Sequence, residues 1–149
     1  MALRRSSHAV YETQYHLVWS PKYRKGLLRE EIAERVAAVF REVGAAYDYE
    51  IQEVEVAADH VHVLLSFPPR HSIAQVVGAL KSLSARVVFR EFPEMQRVLW
   101  GGEWWEGGYL ARTVGDRVTA QVIQRYIQAH RSGELHQVQP GLFEELEEK

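Results

Sequence analysis

The chain has 149 residues, 46% of them hydrophobic, a formal net charge of −2 and no cysteine. These values fit one globular domain with its own core and exclude a disordered chain, a disulfide framework and any thiolate metal site. The N-terminal "MALRRSSHAVYETQYHL" lacks the apolar run of a signal peptide. No apolar run approaches the roughly 18 residues a membrane span needs, so a soluble cytoplasmic protein is expected.

Taken in chain order, "YHLVWSPKYR" alternates and is rich in aromatics, which predicts a first strand ending near Pro21. From Glu30, the apolar positions Ile32, Val36, Val39, Phe40 and Val43 follow helical spacing, and Gly44 is the expected stop. "YEIQEVEVAAD" predicts a second strand with one irregularity, because Ile51, Val54 and Val56 do not keep a strict alternation. "HVHVLLSF" follows almost at once as its antiparallel partner, stopped by Pro68 and Pro69. Ser72 is the candidate cap of an amphipathic helix through Ile73, Val76, Val77, Leu80, Leu83 and Val87, ending by Pro93. "VLWGGEWWEGGYLARTVG" reads as one or two strands around a glycine-rich flexible loop, and "DRVTAQVIQRYIQAHR" as a final helix. Residues from about 133 to 149 form a polar tail. With no internal repeat or linker, residues 1–149 are expected to form one domain. The β-α-β-β-α-β order predicts an α+β, ferredoxin-like split sheet, antiparallel with helices on one face, plus a C-terminal helix.

Charge is segregated. Residues 13–29 carry Lys22, Arg24, Lys25 and Arg29 without an acid, and residues 60–90 carry Arg70, Lys81, Arg86 and Arg90 without one. Such segments are in the first place solvated faces, though on a nearly neutral chain they can also present a phosphate-binding surface.

In "DHVHVLL" a strand gives two positions on the same face to imidazoles, His60 and His62. A pair of neutral imidazoles on one side suits a divalent metal, although histidine-x-histidine alone is a weak signal. In "YIQAH", Tyr126 and His130 stand four residues apart, on one helical face. If His130 reached the metal, the Tyr126 hydroxyl would be delivered beside it for nucleophilic attack. Spacing alone favours the plainer arrangement, with Tyr126 packed beside Val122 and Ile123 and His130 at the surface.

Taken together and in order, "YHLVWSPKYR", "DHVHVLLSFPP", "SIAQVVGALKSLSARVVFREFP", "WGGEWW", "GYLARTVG" and "VIQRYIQAH" resemble the single-tyrosine HUH transposases of the insertion-sequence 200/605 family, over most of the chain. The resemblance implies a prokaryotic homodimer that binds single-stranded DNA hairpins at element ends. It implies strand cleavage and rejoining through a 5′-phosphotyrosine, with Tyr126 as nucleophile, His60 and His62 as metal ligands, and Mg or Mn as the metal. The residue four after the tyrosine, commonly glutamine in the family, completes the metal site; here it is His130. Three imidazoles make a softer site that also suits Zn or Co. If His130 does not ligate, Gln128 or water is left to fill the position, and Gln128 points off the Tyr126 face. Basic residues of the sheet and helices are implied DNA contacts, which selects Lys22, Arg24, Lys25, Lys81, Ser84, Arg86 and Arg112, with Tyr23 and Trp104 or Trp105 as stacking platforms. Two other functions share these residues: a domesticated relative cleaving repeated hairpin elements, and a non-catalytic hairpin-binding protein. An unrelated three-histidine zinc hydrolase is the remaining enzyme class.

Overall fold

Periodicity and capping account for the main elements of the structure, a computed structural model that describes residues 3–22, 28–98 and 103–114 together with Arg125 and Gln128. A short antiparallel ribbon opens the chain, β1 (Arg4–Arg5) with β2 (Val10–Tyr11). β3 (Tyr15–Trp19) is the expected first strand. Then come α1 (Glu30–Tyr47), β4 (Glu50–Ala57), β5 (His60–Ser66), α2 (Ile73–Glu91), a short α3 (Glu94–Val98) and β6 (Leu110–Thr113). β3 to β6 form one antiparallel sheet in the order β4-β5-β3-β6. The long helices lie between β3 and β4 and between β5 and β6 and bury one sheet face. This is the predicted ferredoxin-like arrangement.

The core lies between the helices and that face. Leu17 and Trp19 of β3, Val61, Val63 and Leu65 of β5, Ile32, Val36 and Phe40 of α1, and Val76, Leu80 and Val88 of α2 are all buried in it. Because strand side chains alternate, the same register directs His60 and His62 to the opposite face.

The irregularity in β4 is a bulge. Ile51 pairs with Leu65 and Glu53 with Leu64, so Gln52 is the extra residue. The extra residue brings Ile51 into phase with Val54 and Val56, so all three pack against the core while Glu53 and Glu55 face the other way.

Gly44 does not end α1. The helix continues to Tyr47 and stops at Asp48, which takes the left-handed conformation at φ 65°. Gly44 is instead a point of close approach. A Cβ there would lie 2.6 Å from Ile51 Cγ1 and 2.9 Å from the Tyr49 carbonyl oxygen. The start of α2 is as expected, and more complete: the Ser72 hydroxyl accepts from the Gln75 N–H, and the Gln75 side chain accepts from the Ser72 N–H.

Among its described residues the aromatic, glycine-broken segment supplies one strand, β6, preceded by irregular chain. Trp104 and Trp105 are buried in the core, and Trp105 makes an isolated bridge to Pro21. The expected final helix and polar tail fall outside the described residues apart from Arg125 and Gln128, which are helical and exposed.

Candidate active site

The sheet face turned away from α1 and α2 carries two cross-strand rows. One runs Glu55, His62, Val18, Leu110; the next runs Glu53, Leu64, His16, Arg112. His60 lies one same-face step along β5 from His62, opposite Ala57.

His60 is fully buried. Its Nδ1 lies 2.9 Å from Asp59 Oδ1, while its Nε2 is buried with no hydrogen-bond partner among the described residues. A carboxylate on Nδ1 fixes the proton there and leaves the Nε2 lone pair available, the usual outer-shell support of a metal-bound histidine. A buried imidazole nitrogen without a partner is costly unless something binds it. On this observation the donor set fits a divalent cation.

His62 is also mostly buried. Its Nδ1 lies 4.0 Å from Glu55 Oε2, and its ring meets that of His16 edge to edge, with centroids 4.6 Å apart. His62 Nε2 and His16 Nδ1 share a hydrogen bond. Burial lowers the His62 pKa below the ordinary histidine value, against the raising influence of Glu55 and Glu53 and with a smaller lowering from His60. Burial, and secondarily His62, pushes His16 down to about 4. His16 is therefore neutral at neutral pH, and His62 is pushed the same way, toward the neutral form that a metal ligand must have.

His16 and Asp59 were not anticipated as parts of the site. Asp59 had a visible signal, a carboxylate directly before the first histidine. His16 sits on the polar phase of "YHLVW", but only the pairing of β3 with β5, 46 residues apart, brings it to His62.

Among the described residues no group of three or more histidines, carboxylates or cysteines stands together as a ready ligand set. The expected third ligand, His130, and the expected nucleophile, Tyr126, lie outside the described residues, as do Tyr23, Arg24 and Lys25.

The remaining expected DNA contacts divide. Arg86 is exposed on α2, and Arg112 is half-buried on the histidine face beside His16. Lys22 is half-buried, and its backbone N–H donates to the Trp104 carbonyl at 2.8 Å. Lys81 is occupied structurally: its ammonium donates to the carbonyls of Glu106 and Gly108, each at 2.8 Å, and burial lowers its pKa. Ser84 is corrected outright, since it has 0% exposure and its hydroxyl donates to the Leu80 carbonyl at 2.6 Å while accepting from Trp105 Nε1 at 2.9 Å. That buried bond between α2 and the tryptophan segment leaves it no surface for a phosphate. Trp104 and Trp105, 0% and 4% exposed, are core aromatics and not base-stacking platforms.

Thus the site is an antiparallel sheet with paired histidines on the face turned away from α1 and α2, which cover the other. The family model described as "Transposase IS200 like" matches residues 9–130, and the chain belongs to that family. It is 37% identical over 134 residues to the ISDra2 transposase TnpA of Deinococcus radiodurans, covering 90% of this chain and 95% of that one. It is 34% identical over 121 residues to the transposase for insertion sequence element IS200 of Salmonella typhimurium, covering 81% and 78%. A crystal structure of a Deinococcus radiodurans protein assigned as a transposase matches with a TM-score of 0.73 and 37% identity, over 85% of this chain and 97% of that one. The structure of a REP-associated tyrosine transposase bound to a REP hairpin shares the fold, at 13% identity and a TM-score of 0.55, over 93% and 78%. Among the described residues no helix is long and apolar enough to cross a membrane.

Proposed function

We propose that this transposase binds single-stranded DNA hairpins and cuts and rejoins strands through a covalent phosphotyrosine on Tyr126, with His60, His62 and His130 holding a divalent metal. The observation that carries the reading is the fully buried His60, with Nδ1 on Asp59 and Nε2 without a partner among the described residues. The family match ends at residue 130 and so takes in both Tyr126 and His130. Hairpin binding is supported by the fold shared with the hairpin-bound REP-associated transposase.

When bound, the metal supplies Lewis-acid polarisation of a non-bridging oxygen of the scissile phosphate. Asp59 holds the His60 proton at Nδ1, so that Nε2 remains a donor without a change of protonation. Tyr126 Oη forms the new bond to phosphorus and gives up its phenolic proton. The bond from phosphorus to the 3′ oxygen breaks, and that oxygen leaves with a proton as a free 3′-OH. Because the phosphotyrosyl bond retains the energy of the broken ester, a later 3′-OH can attack it and rejoin strands without a nucleotide cofactor. Arg112 is the proposed phosphate contact, a reading supported by its row next to the histidines, and Arg86, exposed on α2, the proposed contact to the DNA backbone. The protein acts as a homodimer in the cytoplasm of a prokaryotic cell.

The test is a single-stranded hairpin oligonucleotide from the flanks of the gene, incubated with the protein and Mg²⁺ or Mn²⁺. An SDS-stable adduct is expected, lost with EDTA, in Tyr126→Phe and in His60→Ala. Cleavage that persists in Tyr126→Phe would overturn the nucleophile assignment, and an adduct formed in EDTA would overturn the metal. His130 further predicts a preference for Mn²⁺ over Mg²⁺ greater than that of His130→Gln, because an imidazole is a softer donor than an amide. An equal metal preference in the two forms would remove His130 from the ligand set.

A further inference from the structure

The hydrogen bond between His16 and His62 has no place in the chemistry above, yet it involves the nitrogen that a metal would take. Glu55 lies on the Nδ1 side of His62, 4.0 Å away, which favours the tautomer with the proton at Nδ1. The Nε2 of His62 is then an acceptor, and His16 Nδ1–H donates to it. The rings meet edge to edge, with centroids 4.6 Å apart and planes 28° apart, so the bond runs close to both ring planes. Direction matters as well as contact. His16 pairs with Leu64, one same-face step beyond His62 along β5, whereas His60 lies one step to the other side. The contact therefore draws His62 Nε2 away from His60, whose own Nε2 is without a partner among the described residues.

We propose that His16 is a positioning residue that parks His62. In the metal-free protein it holds the His62 lone pair by hydrogen bond on the side away from His60. Metal binding takes that lone pair, breaks the bond and turns His62 toward His60. His16 is thereby a competitor built into the sheet, which lowers the affinity of the site for an ion. The proposal rests on the reading of His60 and His62 as metal ligands.

The full-length protein, titrated with Mn²⁺ and followed by electron paramagnetic resonance, tests it. His16→Phe keeps an aromatic ring in the same place but has no donor, and it should bind Mn²⁺ about three- to tenfold more tightly than the parent, the factor that one net hydrogen bond corresponds to. His16→Asn, which restores an N–H donor near the same place, should return the affinity to the parent value. Unchanged or weaker binding in His16→Phe would overturn the proposal, weaker binding because it would make His16 a ligand or a necessary support. A parent protein that binds no Mn²⁺, or binds it equally well as His60→Ala, would instead overturn the metal reading, and this proposal with it.

A second measurement needs no variant. In nitrogen-15 spectra of the imidazoles during Zn²⁺ addition, His62 Nε2 should take a metal-bound shift while His16 Nδ1 loses its hydrogen-bonded shift along the same saturation curve. A His16 Nδ1 that stays hydrogen-bonded, or that becomes metal-bound itself, would overturn the parking role.

Discussion

Single side chains in this protein do work that their residue type does not announce. Ser84 is the plainest instance. Its hydroxyl is the acceptor for the buried Trp105 indole N–H, so it joins α2 to the segment before β6. Ser84→Ala should leave that N–H unsatisfied and cost about 1–3 kcal/mol in denaturant unfolding. Hairpin affinity of the folded protein should stay unchanged. A loss of affinity without a loss of stability would return Ser84 to the DNA surface. His16 makes a pH prediction for the metal-free protein. Its pKa is pushed down to about 4 in the fold, below the ordinary value near 6.5, first by burial and then by His62. Between those values the unfolded chain binds more protons than the folded one, so this contribution is fully present above pH about 6.5 and is lost as pH falls toward 4. His16→Phe should therefore show a shallower fall in chemical stability across that window than the parent, and equal slopes would contradict the assignment.

Elements were legible in the sequence wherever one periodicity dominated. The alternation of "HVHVLL" sets the two faces of β5, and the Ser72 cap with Gln75 three residues on marks the start of α2. Gly44 misled because a glycine near the end of an apolar period signals a stop. Here its absent side chain admits Ile51 and the Tyr49 carbonyl instead, and Asp48 supplies the left-handed turn. The two tryptophans misled in another way: beside glycines they suggest exposed platforms for stacked bases, whereas their indoles fill the core. Two substitutions separate these readings by thermal or denaturant unfolding. Gly44→Ala gains helix propensity worth about 1 kcal/mol but overpacks against β4 at a cost of about 1–3 kcal/mol, so a net destabilisation is expected. Ser72→Ala should lose about 1 kcal/mol through the cap alone. A stabilised Gly44→Ala would show that the approach of α1 to β4 relaxes without cost.

At the scale of the whole molecule, the split sheet has two faces with different tasks. One is closed by α1 and α2 around Leu17, Phe40, Val63 and Leu80. The other presents His60, His62, His16, Glu55 and Arg112 in neighbouring rows. The pair of histidines was readable from spacing. The row structure was not, because it depends on which strands become neighbours, and β3 lies between β5 and β6 only through the crossovers of the fold. A formal net charge of −2 likewise does not announce the phosphate contacts proposed for this face, and on that proposal binding should weaken with salt through a few local contacts and not through bulk charge. The central claim joins this face to Tyr126, and it is tested most directly by locating the covalent bond. The protein is reacted with a hairpin strand in Mn²⁺, the DNA is trimmed with nuclease and the protein is digested for mass spectrometry. The account predicts a residual 5′-phosphonucleotide on the peptide carrying Tyr126, and on no other tyrosine. A modification on a different residue, or hydrolysed DNA with no modified peptide, would contradict it.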